Sequence, residues 1–112
     1  MATKILTSIK LQLGIAESTT NFDPQIMMGI NTAISALTQI GIGPTEGFLL
    51  TTGDEVWEDY LSEEGKFISV PTYIYCKTKL LFDPPANQTL LNMLQKQADE
   101  LEWRLRTENE DG

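Results

Sequence analysis

The stretch Val70-Pro71-Thr72-Tyr73-Ile74-Tyr75-Cys76-Lys77-Thr78-Lys79-Leu80-Leu81-Phe82-Asp83-Pro84-Pro85 decides the fold class, because its residues can be read two ways. Val70, Tyr73, Ile74 and Tyr75, preceded by Phe67 and Ile68, are types that strands favour, and Val70-Pro71 looks extended. Against a strand, Ile74, Thr78 and Leu81 share one helical face while Lys77 and Lys79 fall on a solvated flank. An isolated strand would also lack a partner in a chain otherwise patterned for helices. The balance predicts a helix over 71–82, stopped hard by Asp83-Pro84-Pro85.

Beyond the double proline, Asn87 can cap a last helix in which Leu90, Leu91, Leu94, Ala98, Leu101 and Leu105 form a stripe at spacings of three and four. Over 87–106 it would reach roughly 30 Å, the longest rod in the chain. Residues 107–112, Thr-Glu-Asn-Glu-Asp-Gly, have nothing to bury and are expected to form a disordered acidic tail outside a domain spanning 1–106.

Working back toward the start, Asp54 to Leu61 reads as a short helix, with Thr52 and Glu55 in capping-box spacing and Val56, Trp57 and Tyr60 on one side. The preceding Gly-rich loop carries Phe48, Leu49 and Leu50, an apolar triplet that can tuck into its own core or serve as a contact for a neighbour. A long helix is expected from Pro24 to about Ile40, capped by Asp23, with Ile26, Ile30, Ala33, Leu37 and Ile40 inward and Gly41, Gly43 and Pro44 ending it. A first helix over 3–13 follows from Ile5, Leu6, Ile9 and Leu13, with Gly14 as its stop. The fold class is therefore all-α, a small bundle of four to five helices.

Composition narrows the function classes. The chain has 112 residues, enough for one domain with a core. Acidic residues outnumber basic ones 16 to 8, and a net charge of −8 opposes attraction to a phosphate backbone. The same charge suits a protein that surrounds DNA without gripping it. With no histidine the usual general base and every Ser-His or Cys-His nucleophile pair are missing. The lone Cys76 has no disulfide partner, fits a reducing compartment, and is better read as a buried structural thiol than as one activated by Lys77. Gly41, Gly43 and Gly47 fit no phosphate loop or dinucleotide fingerprint. Carboxylates at Asp54, Glu55, Glu58, Asp59, Glu63 and Glu64 lack the spacing of a calcium loop and read as a solvated face. No catalytic, cofactor or metal site is expected. Neither a signal sequence nor a membrane-spanning segment is evident.

The chain resembles the small head-tail connector (adaptor, head-completion) proteins of long-tailed bacteriophages. The likeness rests on Tyr73 to Pro85 followed by Leu101-Glu102-Trp103-Arg104-Leu105, on Ile5-Leu6-Thr7-Ser8-Ile9-Lys10, on Asn21-Phe22-Asp23-Pro24, and on Ile30-Asn31-Thr32-Ala33 leading to Gln39-Ile40-Gly41-Ile42-Gly43-Pro44. It runs over roughly residues 3–106 in the same order, and it supports the helical reading of 71–82. The resemblance implies a structural subunit at the virion head-tail junction, assembled in the host bacterial cytoplasm. Such a subunit forms a ring of roughly a dozen copies beneath the portal and extends the DNA channel. Its partners would be further copies of itself, the portal protein and a stopper or tail-completion protein, with DNA passing through and no membrane involved. Candidate protein contacts are Phe48, Leu49 and Leu50 in the loop, with Trp103, which lies off the leucine stripe, and its neighbours Arg104 and Arg106. Glu55, Glu58, Asp59, Glu63 and Glu64 are the candidates to line the channel. The alternative is a small helical regulatory or chaperone-like binding module, which would stay a monomer or dimer; a metal-dependent enzyme built on the 54–64 carboxylates is a more remote rival.

Overall fold

In the computed structural model the described residues are 3–61 and 69–111, the last four of these by backbone alone. Five helices follow in order: α1 (Ile5–Gln12), α2 (Asp23–Gln39), α3 (Trp57–Tyr60), α4 (Val70–Phe82) and α5 (Gln88–Asp111). Among the described residues the extended pairing is confined to one antiparallel bridge, Lys4 with Val56. The ambiguous segment is thus helical, and the bundle is all-α with a long last helix.

Helices α1 and α2 end by the same device. Gly14 and Gly41 adopt φ of +81° and +91°, a region that costs a side-chain-bearing residue energy. Each reversal lets two amides turn back on the helix: Gly14 N–H to Leu11 O and Ile15 N–H to Lys10 O, then Gly41 N–H to Thr38 O and Ile42 N–H to Leu37 O. In α2 the turn also buries Ile42, so the stop signal adds a residue to the core.

Helix α4 is central, packing on α1 and α2 on one side and on α5 on the other. Val70, Tyr73, Ile74, Cys76 and Thr78 are all buried, a broader set than one helical stripe because the helix is covered from two directions. Leu81, expected inward with Ile74 and Thr78, is instead exposed, while Phe82 beside it takes the covered position at the end of α4, half-buried with its ring 5.6 Å edge-on from Phe22. The α2–α4 contact is close at Gly29, where an added Cβ would lie 3.1 Å from Thr78 Cγ2 and 3.3 Å from Thr78 Cα. A glycine inside a helix weakens it by about 1 kcal/mol, and here it lets two backbones approach.

Several expected starts and ends move. Asp23 is the first residue of α2 and makes no capping bond; its carboxylate pairs with Lys10 at 2.8 Å. One capping-box bond forms, Thr52 N–H to Glu55 Oε2 at 3.1 Å, and the Thr52 hydroxyl accepts from Asp54 N–H at 3.1 Å in place of Glu55 N–H, yet no helix follows directly. Residues 55–57 are held extended by the N-terminus instead, through Ile5 N–H to Glu55 O and Trp57 N–H to Thr3 O. The short α3 then begins at Trp57, with Asp59 accepting from the Val56 N–H at 3.0 Å. Asn87 caps α5 as expected, its Oδ1 accepting from Leu90 N–H at 3.1 Å. The helical backbone of α5 continues to Asp111, past the expected end at 106 and over most of the proposed tail.

Candidate docking surfaces

The loop from Gly47 to Gly53 is held on the outer side of α2 by side chains acting as backbone substitutes. Asn31 makes two bonds to Leu50, Nδ2 donating to Leu50 O at 3.0 Å and Oδ1 accepting from Leu50 N–H at 2.8 Å. Glu55 accepts from the amides of Thr51, Thr52 and Gly53 and from the Thr51 hydroxyl at 2.8–3.1 Å. Burial pushes the Glu55 carboxyl up, but the backbone bonds from Thr51 and Thr52 outweigh it and hold the pKa at about 2. A loop whose glycines suggest freedom is thus fastened from its middle to its C-terminal end, at Leu50 and at Thr51 to Gly53.

That fastening sorts the apolar triplet. Leu50 is buried in the core, and Phe48 is half-buried, stacked on Tyr60 with ring centroids 5.1 Å apart. Leu49 points outward and is 59% exposed. Alternation along an extended segment explains the split, because successive side chains leave opposite faces.

Between this loop and α2 runs a groove of about 860 Å³, floored by Met27, Met28, Thr32 and Ser35 and walled by Leu50 and Thr51. A smaller hollow of about 380 Å³ continues it past Ser35 and Gln39 to Phe48 and Leu49. Met28, 70% exposed, stands at the groove. This face of α2 is opposite the one that packs on α4, since Ile26, Ile30, Ala33 and Leu37 are turned the other way.

The other apolar surface lies on α5. The leucine stripe is continuous in sequence but joins the core only toward its C-terminal end, where Ala98 and Leu105 are buried and Leu101 is half-buried against the core; Leu91 and Leu94 nearer its start are half-buried without reaching the core. Tyr73 donates to Glu102 Oε1 at 2.9 Å and secures that end against α4; burial, reinforced by this carboxylate, pushes the phenol pKa up. At the other end Leu90 and Met93 are exposed, as is Leu81 at the adjoining end of α4. Trp103 is 64% exposed, off the stripe. Arg104 and Arg106 are each paired one turn back, with Glu100 at 2.7 Å and Glu102 at 3.6 Å, so neither is an unpaired cation.

The acidic candidates do not act alike. Glu55 is committed to the loop and Asp59 to the start of α3, while Glu58 is exposed. Glu63 and Glu64 lie outside the described residues. Asp54 pairs with Lys4 at 3.1 Å on the surface. Among the described residues no three His, Cys, Asp or Glu side chains are grouped to hold a metal ion, and none of their helices is long and apolar enough to cross a membrane. Cys76 is buried, which pushes its thiol pKa up and away from the reactive thiolate.

One feature escaped sequence reading altogether. Lys10 is 2% exposed; its ammonium pairs with Asp23 and donates to Glu17 O at 3.0 Å, so one cation ties α1, the connector and α2 together. Its place four residues after the buried Leu6, on the same face of α1, was the available signal. Among curated proteins and among solved structures nothing matches the chain. The family model described as Phage connector protein does match, over residues 5–112, which takes in each of the five described helices and both apolar surfaces. With that match spanning nearly the whole of an all-α fold, the chain belongs to the phage connector protein family.

Proposed function

We propose that the chain is the structural, non-catalytic adaptor subunit of a closed ring beneath the portal at the head-tail junction of a tailed phage. The ring extends the DNA channel and offers a surface to the next head-completion or tail component. The observation that carries this reading is the family match over 5–112. The fold supports it by leaving apolar side chains uncovered on separate elements, Leu49 on the loop, Leu90 and Met93 at the start of α5, and Trp103 near its end. Large exposed apolar residues at separate places are what a subunit with several neighbours needs. Trp103 is the anchor we assign to the portal or an adjacent copy, with Arg104 and Arg106 beside it. Assembly would take place in the host cytoplasm.

The net charge of −8 supports a passage that DNA crosses without sticking. Of the acidic candidates, Glu58, Glu63 and Glu64 are those we assign to the channel wall. Glu55 and Asp59 add their charge to the same stretch of chain while holding backbone amides.

The test is light scattering and negative-stain imaging of the protein alone and mixed with its cognate portal. A ring of roughly a dozen copies is expected in at least one condition. A chain that remains a monomer or a twofold dimer even on the portal overturns the reading.

A further inference from the structure

We propose that neighbouring copies join head to tail, the exposed apolar start of α5 in one copy seating in the groove between α2 and the 47–53 loop of the next. This inference rests on the ring reading and names the surfaces that would build it.

Charge selects the pair. Every copy carries −8, so two copies repel unless they meet where charge is sparse. The groove and its continuation are lined almost wholly by uncharged side chains, Glu46 at the far rim being the exception. Helix α2 has no charged residue after Asp23. The first eight residues of α5, Gln88 to Gln95, also carry none, and its first charge is Lys96. These neutral surfaces include the exposed apolar residues Met28 on one side and Leu90 and Met93 on the other. Size agrees: eight helical residues span roughly 12 Å, while α2 from Pro24 to Gln39 offers about 22 Å of groove floor.

Position makes the contact intermolecular. The groove is on the face of α2 turned away from α4, and α5 packs on α4, so α4 and α2 stand between a copy's own α5 and its own groove. The two surfaces therefore lie on opposite sides of a layered α2–α4–α5 arrangement. A contact between different patches on opposite sides propagates from copy to copy and closes when the rotation permits, which is the geometry of a ring and not of a twofold dimer. Apolar residues one turn apart on a helix, entering a preformed groove, are a common mode of helix recognition.

Cysteine pairing tests the assignment. Met28→Cys and Met93→Cys are made separately and together; both sites are exposed, and the buried native Cys76 is controlled by the parent chain. Oxidation is carried out at high protein concentration and, in parallel, on the cognate portal. The expected result is a disulfide-linked dimer only when the two single variants are mixed, and a ladder extending beyond the dimer for the double variant. Met93→Glu, with monomer helicity checked, is expected to raise the concentration for half-assembly about tenfold or more, and Met93→Leu to leave it near the parent's. Rings that form without a 28–93 cross-link overturn this inference and leave the ring reading standing. So does a ladder that stops at the dimer, which would mean a reciprocal swap. If the portal protects the thiol introduced by Met28→Cys and no link forms between copies, the groove belongs to the portal and the inference is overturned too. A parent that never forms a ring overturns both readings.

Discussion

Helices α4 and α5 are adjacent in sequence and packed together, yet they meet solvent very differently. Thirteen residues of α4 lie between α2 and α5, while the 24 residues of α5 pack mainly on α4 and only over part of their length. At about 1.5 Å per residue α5 is roughly 36 Å long, far more than the end of α4 can shield. Both helices carry apolar periodicity, but in α4 it becomes core up to Thr78, with Leu81 left exposed, whereas in α5 it becomes core at one end and at the other is only half-covered at Leu91 and Leu94 and exposed at Leu90 and Met93. Periodicity therefore reports which face of a helix is apolar, and the neighbouring elements decide how much of that face is a site for partners.

The largest expected effect breaks the covered end. Ile74→Ala in α4 and Leu105→Ala in α5 each empty a fully buried position and are expected to lower stability by about 2–5 kcal/mol in denaturant titrations. Leu90→Ala at the bare end removes a similar side chain and is expected to change monomer stability by about 0.5 kcal/mol or less. Equal losses at Leu105 and Leu90 would show that α5 is covered along its whole length.

Next comes the buried ion pair. Asp23→Ala leaves the Lys10 ammonium buried with only the Glu17 carbonyl, and a loss of about 2–3 kcal/mol is expected, discounted because Asp23 itself is partly exposed. Lys10→Met, which removes the buried charge and keeps the stem's volume, should cost clearly less in the same titration. The reverse order would mean that Lys10 contributes through its bonds and not through the penalty of stranding it.

Asn31→Ala removes both bonds that fasten Leu50, with an expected loss of about 1–3 kcal/mol and faster amide exchange across 48–51. Asn31→Asp keeps one acceptor but loses the donor to Leu50 O, and should fall between the parent and the alanine variant. Unchanged exchange in the alanine variant would detach the loop's order from this clamp.

The smallest effect is a pH dependence. Glu55 has its folded-state pKa lowered from 4.5 to about 2, so it adds stability above the unfolded value and loses that contribution as pH falls from about 4.5 toward 2. Glu55→Gln should flatten the stability profile in that window and leave the slope above about pH 6 unchanged. An identical acid limb in the variant would show that other carboxylates carry it.

Much of this was legible because local patterns and tertiary demands agreed. The double proline after Phe82, the Asn87 cap and the glycines after α1 and α2 each marked a boundary by a backbone property that no packing can override. The capping-box spacing at 52–55 misplaced the start of α3 because one of its hydrogen bonds formed while residues 55–57 were drawn into pairing with 3–5. The apolar triplet could be recognised but not sorted, since the inward turn of Phe48 and Leu50 and the outward turn of Leu49 depend on Asn31, a residue distant in sequence. The same holds for the acidic cluster, where Glu55 differs from Glu58 only through the amides around it.

By itself the sequence determined the all-α class, the element order and the faces of the helices, because backbone propensity and 3.6-residue periodicity are local properties. Together with its order of short motifs it also determined the family. Only the tertiary structure decided which apolar residues are core and which are contact surface, that Lys10 is an interior cation, and that a neutral groove lies across the molecule from a neutral helix end. Burial is set by what other segments cover, and a side chain's partners by which distant residues the fold brings within a few ångströms, so neither can be read from spacing along the chain.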